Sequence, residues 1–118
     1  MVVQALRLVA LEPERQVSAL PKFVVASDEI STSFYDAYLL VPQLRKRNFV
    51  NEQAYETLRS LDDWFENMPT DGSIVENESL GNHEFWNTAR KLAKEALLHL
   101  KEDICEPDLS HMFWTEGD

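Results

Sequence analysis

The sequence has a single cysteine, Cys105, so neither an intrachain disulfide nor a cysteine-based zinc cluster can form. Its three glycines, Gly72, Gly81 and Gly117, are too scattered to build a glycine-rich phosphate loop. No apolar run approaches the ~20 residues that cross a bilayer. The first residues, Met1-Val2-Val3-Gln4-Ala5-Leu6-Arg7, put no cationic stretch ahead of an apolar one, so no signal peptide is read there. A soluble, cytoplasmic chain without cofactor or metal is the expectation. Bases are scarce as well: eleven Lys and Arg stand against 21 Asp and Glu, for a net charge of −10. Such a field repels nucleic-acid phosphates and anionic membranes and attracts basic proteins. The partner class expected is therefore a cationic protein, with no nucleic acid and no membrane; oligomeric state is not readable.

What is present suits one globular domain over residues 1–118, since 44% hydrophobic residues can bury a single core. The acidity is concentrated. Residues 48–84 hold nine acids (Glu52, Glu56, Asp62, Asp63, Glu66, Asp71, Glu76, Glu78 and Glu84) and one base, Arg59.

Along the chain the apolar period is mostly helical. Residues 2–11 suit a buried strand or a helix equally. Pro13 opens a short helix that Pro21 stops. Residues 23–26 are briefly β-prone, and Ser27 is the expected cap of a helix carrying Ile30, Phe34, Ala37, Tyr38, Val41 and Leu44 on one face. Pro42 should kink or restart that helix near Leu40. Arg45-Lys46-Arg47 reads as a charge cluster at the helix end, with a binding patch as the alternative. Asn51 caps the clearest amphipathic helix, predicted to Met68, whose seam is Ala54, Leu58, Leu61, Phe65 and Met68. Residues 69–82 are expected to form an acidic loop. Asn82 is the expected cap of a last helix, carrying Phe85, Trp86, Ala89, Leu92, Ala93, Ala96, Leu97, Leu100 and Ile104, that ends near Cys105 ahead of Pro107. A tail over 107–118 carries Met112-Phe113-Trp114, expected to dock on the core. The sum is an all-α, irregular bundle of four to five helices, with a short strand near 2–9 or 23–26 left open.

Catalytic chemistry finds little footing. Cys105 lies near Glu102, Asp103 and Glu106, and negative neighbours disfavour the reactive thiolate; a buried or half-buried structural thiol is expected. Glu95, His99 and Asp103 are spaced to share a helix face, but the His and Glu spacings of helical metal sites are absent, and a solvated face is expected. His83 and His111 read as surface residues. The carboxylate pairs, Asp62 with Glu66 and Glu52 with Glu56, are expected on an exposed helix face, serving solubility or partner attraction, whereas acid–base work needs a cleft. No catalytic, cofactor-binding or metal-ligating residue is assigned. The partner-binding candidates are Glu52, Tyr55, Glu56, Asp63, Glu66, Asp71, Glu76 and Glu78, aromatic and acidic positions that suit a charged ring around a hot spot.

Leu20-Pro21-Lys22-Phe23-Val24 leading to Asp28-Glu29-Ile30, the helix over 51–68, and Phe85-Trp86 with Ala89-Arg90-Lys91-Leu92-Ala93 resemble the small acidic immunity proteins of bacterial polymorphic-toxin and contact-dependent growth inhibition systems. The resemblance is one of size, acidity and helical layout over most of the chain. It implies a non-enzymatic toxin inhibitor that binds and neutralises a cognate basic toxin domain, often a nuclease. The alternative is a helical adaptor or regulatory domain that self-associates through its aromatic positions.

Overall fold

Phe85, Trp86, Ala89, Ala93, Ala96 and Leu97 are all buried on a helix whose alanines let other helices come close, so this helix takes the centre of the bundle. The structure is a computed structural model that describes residues 2–22 and 24–108. In chain order the described residues form α1 (Val2–Ala10), α2 (Pro13–Ala19), α3 (Ala26–Tyr38), α4 (Val41–Lys46), α5 (Glu52–Glu66), α6 (Ser79–Asn82) and α7 (Glu84–His99). The main contacts run α5 to α7, α7 to α1, α1 to α3, and α3 back to α5. Four helices thus close a ring; α7 also carries α6, and α2 lies against α6. The fold is all-α and irregular, as expected, and the short α4 and α6 raise the helix count above the expected four to five.

α1 resolves the ambiguity of residues 2–11 in favour of helix. Val2, Ala5, Leu6, Leu8, Val9 and Ala10 are buried around most of its circumference because α3 and α7 both lie against it. Among the described residues there is no strand, and Ala26 of the β-prone run opens α3. Val25 is the N-cap there; Ser27 is not, because it lies inside the first turn and its hydroxyl donates to Val75 O at 3.3 Å. Pro42 restarts the chain as α4, as its missing N–H requires.

At α5 the Asn51 side chain accepts the Ala54 N–H at 2.8 Å, and its amide donates to His99 O, also at 2.8 Å. One cap therefore joins the start of α5 to the end of α7. Ala54, Leu58, Leu61 and Phe65 are buried as the seam predicts. An aromatic chain crosses the ring from α3 to α7: Phe34 stacks on Phe65 at 5.2 Å, and Phe65 meets Phe85 and Trp86 edge-on at 5.7 and 6.1 Å.

The expected 69–82 loop is more deeply built in than its polarity suggests. Ile74, Ser79 and Leu80 are buried, Trp86 Nε1 donates to Ile74 O at 3.0 Å, and α6 packs against α7. Gly72, at φ 84°, supplies the left-handed residue of the turn that Asp71 braces by accepting the Ser73 N–H. His83 caps α7, its Nδ1 accepting the Phe85 N–H at 3.0 Å, in place of the expected Asn82.

Arg90 and Gln16 form the polar heart of this end. Gln16 donates to Leu8 O and Val9 O, closing α1, and its Oε1 accepts from Arg90 at 3.3 Å. Arg90 also donates to Leu11 O, Leu80 O and Asn87 Oδ1 at 2.8, 2.8 and 3.0 Å. Burial pulls the Arg90 pKa down, and nearby Glu12 partly offsets this.

α7 stops at His99 and not near Cys105. Lys101 takes φ 60°, and the Glu102 and Lys101 N–H groups turn back onto Leu97 O and Leu98 O at 2.9 and 3.0 Å, closing the helix. Ile104 is consequently 56% exposed, and Cys105 is exposed instead of buried or half-buried, because both lie beyond the helix. Residues 102–108 return along α1. Arg7 binds Asp103 O and pairs with Glu102, Arg15 pairs with Glu106, and Gln4 Oε1 accepts the Asp108 N–H at 2.7 Å. The Met112-Phe113-Trp114 triplet and His111 lie outside the described residues.

Candidate functional site

The seam of α5 fixes what its other side presents. With Ala54, Leu58, Leu61 and Phe65 turned into the core, helical geometry turns Glu52, Glu56, Arg59, Asp63 and Glu66 outward as one stripe at steps of four and three. All five are exposed, and Arg59 is the one base among four acids. The structure groups these four acidic candidates on one surface.

It does not leave them all equally open. Arg45, from the last turn of α4, pairs with Glu52 and lays its guanidinium 3.9 Å over the Tyr55 ring. The hydrogen bond to Glu52 raises the Arg45 pKa further. Tyr55 is therefore half-buried beneath a cation of its own chain. Trp64, on the opposite flank, is also occupied: its Nε1 donates to Phe85 O at 2.9 Å and its ring stacks on Phe85 at 5.7 Å. The aromatic hot spot expected from Tyr55 is thus turned inward.

Asp71, Glu76 and Glu78 are exposed but belong to a separate segment, anchored to α3 through Ser27 and to α7 through Trp86. The Ser73 hydroxyl and N–H lower the Asp71 pKa. No hydrogen bond or ion pair among the described residues ties these three acids to the α5 stripe.

The flank of α5 that faces α3 carries a feature that the sequence pattern did not single out. A groove of about 320 Å³ runs there, lined by Ser31, Thr32, Phe34, Tyr35, Asp62, Phe65, Glu66 and Met68. Asp62 is half-buried, and burial, then Glu66, then Asp63 raise its pKa. Tyr38 is pushed up by burial and then by Asp62. Tyr35 is 54% exposed at the groove edge. The signal available in the sequence was its place off the Ile30–Phe34–Ala37 face, with Leu39 four residues on.

One arrangement looks at first like a nucleophile and its base. Ser73 Oγ lies 3.4 Å from His83 Nε2. However, His83 Nδ1 accepts the Phe85 N–H, so the neutral ring carries its proton on Nε2 and donates toward Ser73. Ser73 in turn bonds to Asp71. The proton order runs opposite to that of an activated serine, which must donate to the imidazole. Glu95 and His99 pair at 3.7 Å, but Asp103 lies past the helix end and does not share their face. Among the described residues no three His, Cys, Asp or Glu side chains gather to hold a metal ion. No helix among them is long and apolar enough to cross a membrane.

No family model, curated protein or solved structure matches the chain.

Proposed function

We propose that this chain is a non-enzymatic binding protein for a cationic protein partner, engaged through the outward face of α5. The observation that carries the reading is the stripe Glu52, Glu56, Asp63 and Glu66, exposed on a helix whose other side is locked into the core. A rigid, pre-formed row of carboxylates lowers the ordering cost of binding, and its field speeds encounter with a basic surface. The resemblance to immunity proteins specifies the partner further as a basic toxin domain, a nuclease among the choices, neutralised by occlusion in a bacterial cytoplasm. Asp71, Glu76 and Glu78 then offer a second acidic patch on a separate segment.

The test is capture of the partner from the native cell, followed by measurement of association rates at several salt concentrations. Lysine at positions 56, 63 and 66 (Glu56→Lys, Asp63→Lys, Glu66→Lys) is expected to slow association at low salt by about tenfold or more and to flatten its salt dependence. An unchanged rate removes α5 as the binding face. A stable homodimer with no cationic partner captured favours the self-associating adaptor, for which Leu39 and Phe49, 61% and 68% exposed, offer apolar surface.

A further inference from the structure

The groove between α3 and α5 combines an apolar floor with a negative edge. The stacked Phe34 and Phe65 rings and Met68 line it, Tyr35 stands exposed at one side, and Asp62 and Glu66 stand one helical turn apart at the other. Neither carboxylate takes part in an ion pair among the described residues. Phe34, Phe65 and Met68 do not compensate two neighbouring negative charges, and the Ser31 hydroxyl is turned onto Ser27 O, so the groove is complementary to a group with a long apolar stem and a cationic head.

The chain contains an instance of that match two helical turns away. Arg45 sets its guanidinium carbon 3.9 Å over the Tyr55 ring and pairs with Glu52 on α5. Tyr55 and Asp62 are seven residues apart on that helix, and among the described residues no ion pair brings a cation onto Asp62 or Glu66 as Arg45 is brought onto Glu52.

We propose that the groove receives an arginine side chain of the basic protein partner, its stem along Phe65 and Met68 and its guanidinium between Asp62 and Glu66. Arginine fits better than lysine because a planar guanidinium both forks onto two carboxylates and stacks on an exposed ring such as Tyr35. The inference rests on the cationic-partner reading and adds to it the residue that anchors the complex.

The test follows side-chain resonances of the full chain by NMR while a synthetic tetra-arginine peptide is added, with tetra-lysine and the neutral isostere tetra-citrulline in parallel. The expected result is saturable shifts at Tyr35, Phe65 and Met68 with tetra-arginine, weaker ones with tetra-lysine and none with tetra-citrulline. Asp62→Asn with Glu66→Gln should weaken the tetra-arginine affinity at least about tenfold, the effect of losing one charge-assisted hydrogen-bonded pair. The Trp86 indole N–H resonance reports whether that variant keeps its core, and Tyr35→Ala, at an exposed position, should weaken binding by a smaller factor without touching the core. Equal response to tetra-lysine overturns the arginine assignment. Shifts confined to Glu52, Glu56 and Asp63 overturn the groove while leaving the acidic face of α5 as the binding surface. Absence of any shift overturns both.

Discussion

Lys101 occupies a backbone conformation that suits glycine better than any side chain. At φ 60° its Cβ crowds the neighbouring carbonyl, yet the turn back onto Leu97 O and Leu98 O requires that angle. Asn48 does the same service after α4 at φ 64°, with less strain because asparagine tolerates the left-handed region. Lys101→Gly is expected to stabilise the fold by about 1 kcal/mol, seen as a higher denaturant midpoint at unchanged slope. A lower midpoint would mean that the Lys101 side chain contributes more than its backbone costs. Asp62 makes the second residue-scale case. Its pKa is raised by burial and by Glu66 and Asp63, so the folded state binds its proton more tightly than the unfolded chain does. The resulting stabilisation is complete below the unfolded pKa and is lost as pH rises through the raised folded value. Asp62→Asn should therefore raise the melting temperature at neutral pH, and the gain should vanish as the buffer is acidified through that pKa. A gain independent of pH would point to packing instead of charge.

At the scale of elements, Arg90 joins what the chain separates. It reaches Leu11 between α1 and α2, Gln16 on α2, Leu80 on α6 and Asn87 on its own helix. Arg90→Leu would leave Leu11 O, Leu80 O and Gln16 Oε1 without this donor in a buried site, so a loss of about 2–4 kcal/mol is expected by denaturant unfolding. Gln16→Leu should also destabilise, and the double variant should lose less than the two single losses added, since both act through one network. Additivity within error would show two independent anchors. This network also explains which elements could be read in advance. α5 was legible because its seam and its Asn51 cap are local signals, and the break before α4 because Pro42 cannot continue a helix. α6 was not, because Ile74 and Leu80 become core only once Trp86 and Arg90 arrive from α7 to satisfy the surrounding backbone. The end of α7 was hidden for the opposite reason: the left-handed position that closes it is a lysine where glycine would have announced it. The acidic stripe followed directly from the period of α5, whereas the groove needed α3 beside it and so could not follow from either helix alone.

At the scale of the whole molecule, the chain carries a net charge of −10, and residues 48–84 alone hold nine acids against one base. Self-repulsion of this kind favours expansion and is screened by salt. Raising NaCl from about 0.02 to 0.5 M should therefore raise the melting temperature by about 2–4 °C, which is about 0.5–1 kcal/mol for a domain of this size. A fall would mean that the ion pairs of Arg7, Arg15 and Lys94 outweigh the repulsion.

The bond from Asp108 to Gln4 brings the chain, 104 residues on, back to the start of α1. Residues 4 and 108 meet beside α1, which does not neighbour α5 in the ring. The order in which the helices are threaded is then separable from the arrangement they reach: a linker from beyond Asp108 back to Val2, with a cut at the exposed turn around Gly72, would leave every described helix with the neighbours it has now.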